Sequence, residues 1–271
     1  MPKYNFKFGK LWLSEFGAIS AEEPTVEIAQ RDISFISIPG KDGDDCIDNK
    51  RYDNVEFKRK IAFVGSRDVK AQEKELNLIN NYAYLQGYQE FEDSDHPGLV
   101  TEAALKNFNS VQRKLRTMHT AELDFTRKPF WYLKSGLEEM LLDFTQLTGD
   151  GVEITNPYPA PAKPLIRFFM TFSGTSETTT CRIHYSFTSN VNGTAVAKTY
   201  SKSSIKITAT HNIVEVDTEN QRTTVRNAAG EIYSYVDAPI PDPIPEGKTI
   251  MKVLTVSKIN AVSIIPRWRC L

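Results

Sequence analysis

The sequence predicts a mainly β protein in two parts: a β domain carrying one helix, then a β-sandwich. Three observations carry this. Val55, Phe57, Ile61 and Phe63 recur at alternating positions, and so do Cys181, Ile183, Tyr185 and Phe187, which puts each set on one face of a strand. One segment, Asp68 to Gln86, has helical spacing instead. The 271 residues suit about two domains, or one large β domain as the alternative.

In the first half, Ile33 to Ile38 is a short apolar run ending at Pro39 and reads as a strand. Pro39 to Asn54 is rich in Gly and Asp. Asp42-Gly43 predicts a hairpin turn, because glycine tolerates positive φ. A hairpin or a long acidic loop is expected there, before the long strand from Val55 to Phe63. In the helix, Val69, Leu76, Ile79 and Ala83 form one stripe, while Lys70, Glu73, Lys74 and Asn77 face away. Asp68 is the expected N-cap and Gly87 the C′ residue. Leu105 to Val111 and Thr117 to Phe125 suit further strands.

Pro157, Pro159, Pro161 and Pro164 cannot propagate a helix or a central strand, so they predict an extended connector leading into the second domain. The expected boundary lies slightly upstream, giving domains 1–136 and 137–271. Strands are expected at Leu165 to Phe172, Cys181 to Phe187, Ser203 to Thr208, Ile213 to Val216, Glu231 to Val236, Ile250 to Val256 and Ile259 to Ile265. Turn signals at Asn192-Gly193 and Ala229-Gly230 complete a sandwich of about seven to nine strands. Pro239, Pro241, Pro243 and Pro245 form a rigid loop before the last two strands.

Composition excludes several classes. Hydrophobic residues at 40% and charged residues at 25% describe an ordinary globular chain. A net charge of -1 supplies no field for nucleic acid or anionic lipid. No stretch approaches the roughly 20 apolar residues needed to span a bilayer. Lys10 and Glu15 interrupt any signal-peptide core, so synthesis in the cytoplasm is expected. Cys46, Cys181 and Cys270 make neither a disulfide framework nor a CxxC site and are expected to be buried or unreactive.

Catalytic signatures are missing. Asp42, Asp44, Asp45 and Asp48 fail the calcium-loop pattern, with Cys46 at its fifth position and Asp53 at its twelfth. His96, His119, His184 and His211 sit at no metal-ligand spacing. Nothing matches GxSxG, GxGxxG or a P-loop. The chain is therefore expected to be no enzyme, with no catalytic, metal or cofactor residues. Arg127, Lys128, Phe130, Trp131 and Tyr132 could stack nucleic-acid bases, but a strand end with anchoring aromatics is preferred. Arg267, Trp268 and Arg269 read as an amphipathic last strand whose Trp closes the sandwich edge.

Four segments carry a family resemblance. They are Ile38-Pro39-Gly40-Lys41-Asp42-Gly43 with Arg51-Tyr52, Gly87-Tyr88 running to Asp95-His96-Pro97-Gly98, Lys128-Pro129-Phe130-Trp131-Tyr132, and Ile264-Ile265-Pro266-Arg267-Trp268. In order and wording the chain resembles the distal tail protein of long, non-contractile-tailed bacteriophages, the baseplate hub below the tail tube. One departure is Lys41, where an Arg is common; the swap is mild unless the contact is bidentate.

The resemblance implies a tail-tube-like first domain that closes into a homo-hexameric ring, through which DNA passes without specific binding. It implies a galectin-like second domain projecting outwards as a docking surface. The implied partners are the tail tube protein, a tail-tip or tail-associated protein and a receptor-binding protein, at the virion tail tip and without membrane insertion. Pro39, Gly40, Lys41, Asp42, Gly43, Asp44 and Asp45 would sit at the ring interface or lumen, where an acidic tip repels passing phosphates. Two alternatives stay open: a carbohydrate-binding module acting in adsorption, although Trp268 is the second half's only Trp, and a glycoside-cleaving tail enzyme.

Overall fold

A computed structural model describes residues 4–22, 25, 27–64, 69–108, 112–115, 118–172, 178–191, 193–255 and 258–271. The chain is mainly β and divides into two compact units, with the break between Trp131 and Tyr132.

Unit 1 contains β1 (Phe6–Phe8), β2 (Leu11–Trp12), β3 (Ala18–Ser20), β4 (Arg31–Ser37), β5 (Asp44–Tyr52), β6 (Val55–Val64), α1 (Val69–Tyr84), β7 (Gln89–Asp93), β8 (Leu99–Phe108), β9 (Gln112–Leu115) and β10 (Met118–Arg127). Its main sheet runs in the order β2-β1-β7-β8-β10-β6-β3, with β9 also on β10, while β4 and β5 pair only with each other. The expected alternation holds along β6. Val55, Phe57, Ile61 and Phe63 are buried, and Arg59 fills the inward position between them. Across the ladder Phe57 faces Phe125 and Ile61 faces Ala121. Phe6, Phe8, Phe57, Phe91 and Phe125 form the aromatic centre, with neighbouring ring centroids such as Phe57–Phe125 at 5.2 Å and Phe6–Phe91 at 5.6 Å.

Helix α1 packs on this centre through Leu78 and Tyr82, both fully buried; the Tyr82 ring meets Phe8 edge-on at 5.4 Å. Ala83, expected on the buried stripe, is exposed. Leu78 and Tyr82 are one turn apart and remove far more apolar area from water than an alanine can. The expected N-cap Asp68 and the side chains of Val69, Leu76 and Ile79 lie outside the described residues. β8 begins at Leu99 rather than Leu105. Val100, Thr101 and Ala103 are buried, but only Val100 is a bulky apolar residue; the Thr101 hydroxyl donates to the Phe130 carbonyl at 2.8 Å.

β11 (Trp131–Leu133) contains the break, and unit 2 continues with β12 (Met140–Leu141), α2 (Phe144–Thr148), β13 (Val152–Asn156), β14 (Leu165–Met170), β15 (Thr179–Val191), β16 (Thr194–Ile207), β17 (Ile213–Asp217), β18 (Arg222–Arg226), β19 (Ile232–Val236), β20 (Gly247–Val253), β21 (Ile259–Ile265) and β22 (Arg269–Cys270). One sheet runs β12-β21-β14-β17-β18-β19 and the other β13-β20-β15-β16. Ile166, Phe168, Val214, Val216, Val262 and Ile264 from the first meet Ile183, Tyr185, Phe187, Ile205, Ile207 and Met251 from the second in one core. This is the expected sandwich.

Short α2 was not expected; Asp143 caps it, accepting from Thr145 N at 2.9 Å. The proline run at 157–164 does not enter a new domain. It crosses from one sheet of the sandwich to the other, where Ala162 and Ile244 exchange two backbone hydrogen bonds of 2.8 Å. The two proline runs thus brace each other.

The end of the chain also differs from expectation. β21 stops at Ile265, and Pro266 leads to Arg267 at φ 56. That turn sends Trp268 into the sandwich core rather than to its edge, while β22 pairs with β11.

Candidate functional site

The β4–β5 hairpin is the part of unit 1 whose sequence calls for a partner. Pro39 and Gly40 hold the centre of its turn: Lys41 N donates to the Ile38 carbonyl at 3.1 Å, and Gly40 has φ 84, which is the geometry of a type II turn with proline first and glycine second. Gly43, φ 82, turns the chain into β5. The hydrogen-bonded turn is therefore Pro39-Gly40, not Asp42-Gly43. Asp44 and Asp45, expected in a hairpin or a long acidic loop, open a strand that pairs Ser37 with Asp44, Ile36 with Asp45, Phe35 with Cys46, Ser34 with Ile47 and Ile33 with Asp48. The acidic segment became a strand because Cys46 and Ile47 each sit opposite a residue of β4, and Asp48 pairs across to Arg31.

Those pairs fix the register. Arg31 binds Asp48 on one face, with Nε to Oδ1 at 3.2 Å. On the other face Arg51 pairs with Asp32, and Asn49 Nδ2 donates to Asp32 at 2.9 Å. Lys41 pairs with Asp45 at the tip. Lys50 takes φ 56, held by its N–H donating to Asp48 Oδ1 at 2.8 Å. The Lys50 N–H, with Arg31 beside it, keeps the Asp48 carboxyl below the usual range, and Asn49 and then Arg51 do the same for Asp32.

Apolar side chains occupy both faces and remain open. Phe35 is 67% exposed, Ile36 47%, Ile47 45% and Ile33 40%. Phe35, Ile33 and Cys46 share one face, and Ile36 and Ile47 the other. Cys46 is exposed, so the buried half of the buried-or-unreactive expectation does not hold for it. A two-stranded hairpin is marginal by itself in water, and this one carries an exposed apolar patch on each face. The sequence signal was present in Ile33-Ser34-Phe35-Ile36, where apolar residues stop alternating and fall on both faces.

Elsewhere the predicted chemistry stays structural. Trp131 is buried and stacks on His96 at 4.6 Å with an interplanar angle of 17°. Arg127 lies over Trp131 at 5.2 Å and donates to the carbonyls of Lys128, Pro129 and Glu27. Phe130 meets Tyr52 edge-on at 5.4 Å. These contacts anchor the strand end, with Trp131 buried and Phe130 and Tyr132 half-buried. In unit 2, Glu215 is buried between Arg167 at 2.9 Å and Arg226 at 2.6 Å. Asp217 accepts from Arg267 and from Asn220 Nδ2, each at 2.7 Å. Burial pushes the Asp217 carboxyl up, but these partners outweigh it and hold it below the usual range. Burial raises the Cys181 thiol to about 11. Among the described residues no three His, Cys, Asp or Glu side chains gather as metal ligands, and no helix is long and apolar enough to cross a membrane.

No protein-family model and no curated protein matches the chain. Solved structures do. The crystal structure of the Dit protein of phage SPP1, titled a paradigm of the hub adsorption apparatus in phages infecting Gram-positive hosts, aligns over 99% of both chains with TM-score 0.64 and 14% identity. A structure of the phage p2 baseplate in its activated, strontium-bound conformation aligns over 96% of both chains with TM-score 0.45 and 8% identity. The fold described here, both units included, is the fold of SPP1 Dit.

Proposed function

We propose that this protein is the structural hub of a phage tail tip, joining tail tube to adsorption apparatus as a ring of six copies. The observation that carries the reading is the β4–β5 hairpin, apolar and uncovered on both faces. A neighbouring copy that received it would bury Phe35 and Ile33 on one side and Ile36 and Ile47 on the other, and a ring gives every copy one such donor and one acceptor. The fold shared with a protein titled as a hub of the adsorption apparatus supports the same reading. In the ring, Pro39 to Asp45 lie at the seam or the lumen, and Asp42 and Asp44 present negative charge to DNA in transit. Unit 2 is a galectin-like, non-catalytic docking surface for tail-associated and receptor-binding proteins.

Native mass spectrometry of the purified chain, with cryo-microscopy of the tail, tests this. A six-fold ring with the hairpin at the seam is the expected result. A monomer within the assembled tail, or a hairpin facing only solvent there, overturns it.

A further inference from the structure

In unit 2 the β15–β16 hairpin outruns its own sheet. β16 stays paired with β15 as far as Val191 and Thr194, whereas β20 leaves β15 at Ser189 and Thr249. Just before the overhang, Phe187 and Ser189 of β15, Val196, Lys198 and Tyr200 of β16 and Thr249 of β20 face the segment Asp242 to Pro245, and the space between them is a cavity of about 180 Å³. That is below the usual size of a drug or cofactor site and suits a single small ring.

We propose that this cavity binds one neutral pyranose unit of a glycan. Its lining has two characters. The rings of Phe187 and Tyr200, 6.4 Å apart at 65°, together with Pro243 and Pro245, give apolar surface for the C–H face of a sugar ring. Opposite them stand hydroxyls. Ser189 Oγ and Thr249 Oγ1 lie 3.0 Å apart, and each keeps capacity for a further hydrogen bond. Sugar hydroxyls both donate and accept, so they match such a pair. At the rim Lys198 pairs with Asp242, with both side chains more than half exposed. An exposed pair is weak and can exchange its partner for ligand hydroxyls, the ammonium as donor and the carboxylate as acceptor. One positive and one negative group leave the rim neutral, which favours an uncharged sugar over a phosphate or a uronic acid.

The cavity is also held ready. Ile244 is fixed by two backbone bonds of 2.8 Å to Ala162 and by Asn156 Nδ2 donating to its carbonyl at 3.2 Å. Asp242 N donates to the Tyr200 hydroxyl at 3.1 Å. Prolines on either side of Ile244 restrict the backbone further. A site ordered before the ligand arrives loses less entropy on binding. None of this depends on the hub reading.

The test uses the full chain with the methyl glycosides of glucose, galactose, mannose and N-acetylglucosamine, read by saturation-transfer NMR and titration. Val196, 40% exposed at the cavity wall, is replaced in Val196→Trp to fill the space. Asp242→Ala, at an exposed position, serves as second variant should the first fail to fold. At least one glycoside is expected to saturate with a dissociation constant of about a millimolar, weakened about tenfold or more in a folded variant. No saturable binding by any of the four glycosides overturns the proposal, and so does binding that folded Val196→Trp or Asp242→Ala leaves unchanged.

Discussion

Arg59 Nη2 donates to Asp93 Oδ2 at 2.7 Å, with the two side chains only 8% and 4% exposed. The residues belong to β6 and β7, which are separated in the sheet by β8 and β10, so one ion pair ties the two sides of unit 1 together beneath the aromatic centre. The Arg59 guanidinium also lies 4.9 Å from the Phe57 ring.

Removing one partner leaves a buried charge alone. Arg59→Ala or Asp93→Ala should each cost about 3–5 kcal/mol, while the apolar double replacement Arg59→Met with Asp93→Leu should cost much less. Urea unfolding followed through a probe in unit 1 measures both. Single losses below about 1 kcal/mol would mean that water reaches the pair.

The exposed hairpin residues should matter to assembly and not to folding. Phe35→Ser and Ile47→Ser, one on each face, should change chain stability by no more than about 0.5 kcal/mol. Each should weaken ring formation at least about tenfold in sedimentation velocity. An unchanged ring in both variants would place the seam elsewhere.

Cysteine labelling gives an independent reading. Cys46 is exposed beside Phe35, while Cys181 is buried with its thiol raised to about 11. A maleimide should modify Cys46 quickly in the dissociated chain and Cys181 only on unfolding. Assembly should protect Cys46, and equal rates in ring and monomer would contradict the seam assignment.

Gly136 touches Trp268. A Cβ there would come within 2.8 Å of the indole Cδ1 and 2.9 Å of the Trp268 backbone nitrogen, and Trp268 is held in place by Leu133 N donating to its carbonyl at 2.9 Å. Gly136→Ala should destabilise unit 2 by about 1–3 kcal/mol, the cost of overpacking. Thermal unfolding with tryptophan fluorescence would show it, and an unchanged midpoint would mean that this contact gives way freely.

Asp217 should make unit 2 sensitive to acid. Its folded pKa lies below the ordinary 3.8 because Arg267 and Asn220 overcome burial. The sign follows: the stabilisation is complete above the unfolded pKa and disappears as pH falls through the folded one. Between about pH 5 and pH 2 the wild type should lose stability faster than Asp217→Asn. Parallel pH curves for the two proteins would remove Asp217 from the account.

By itself the sequence determined the elements whose signal is local. Alternation at Val55 to Phe63 and at Cys181 to Phe187, the Gly193 turn at φ 82 and the Gly98 turn at φ 81 follow from backbone sterics and the two-residue repeat of a strand. Other features had no local signal. Arg59 sits at an inward position only because Asp93, distant in the chain, is there to meet it. The acidic stretch from Asp44 to Asp48 became a strand because Arg31, Ile33, Phe35 and Ile36 of β4 lie opposite. Trp268 turned inward because Gly136 leaves room for it. In each case the deciding partner is far away in sequence, and only the folded chain brings together the charge, hydrogen bond or space that outweighs local preference. The cavity beside β15, β16 and β20 belongs to the same class, since three strands and a proline loop enclose it only once the sandwich has closed.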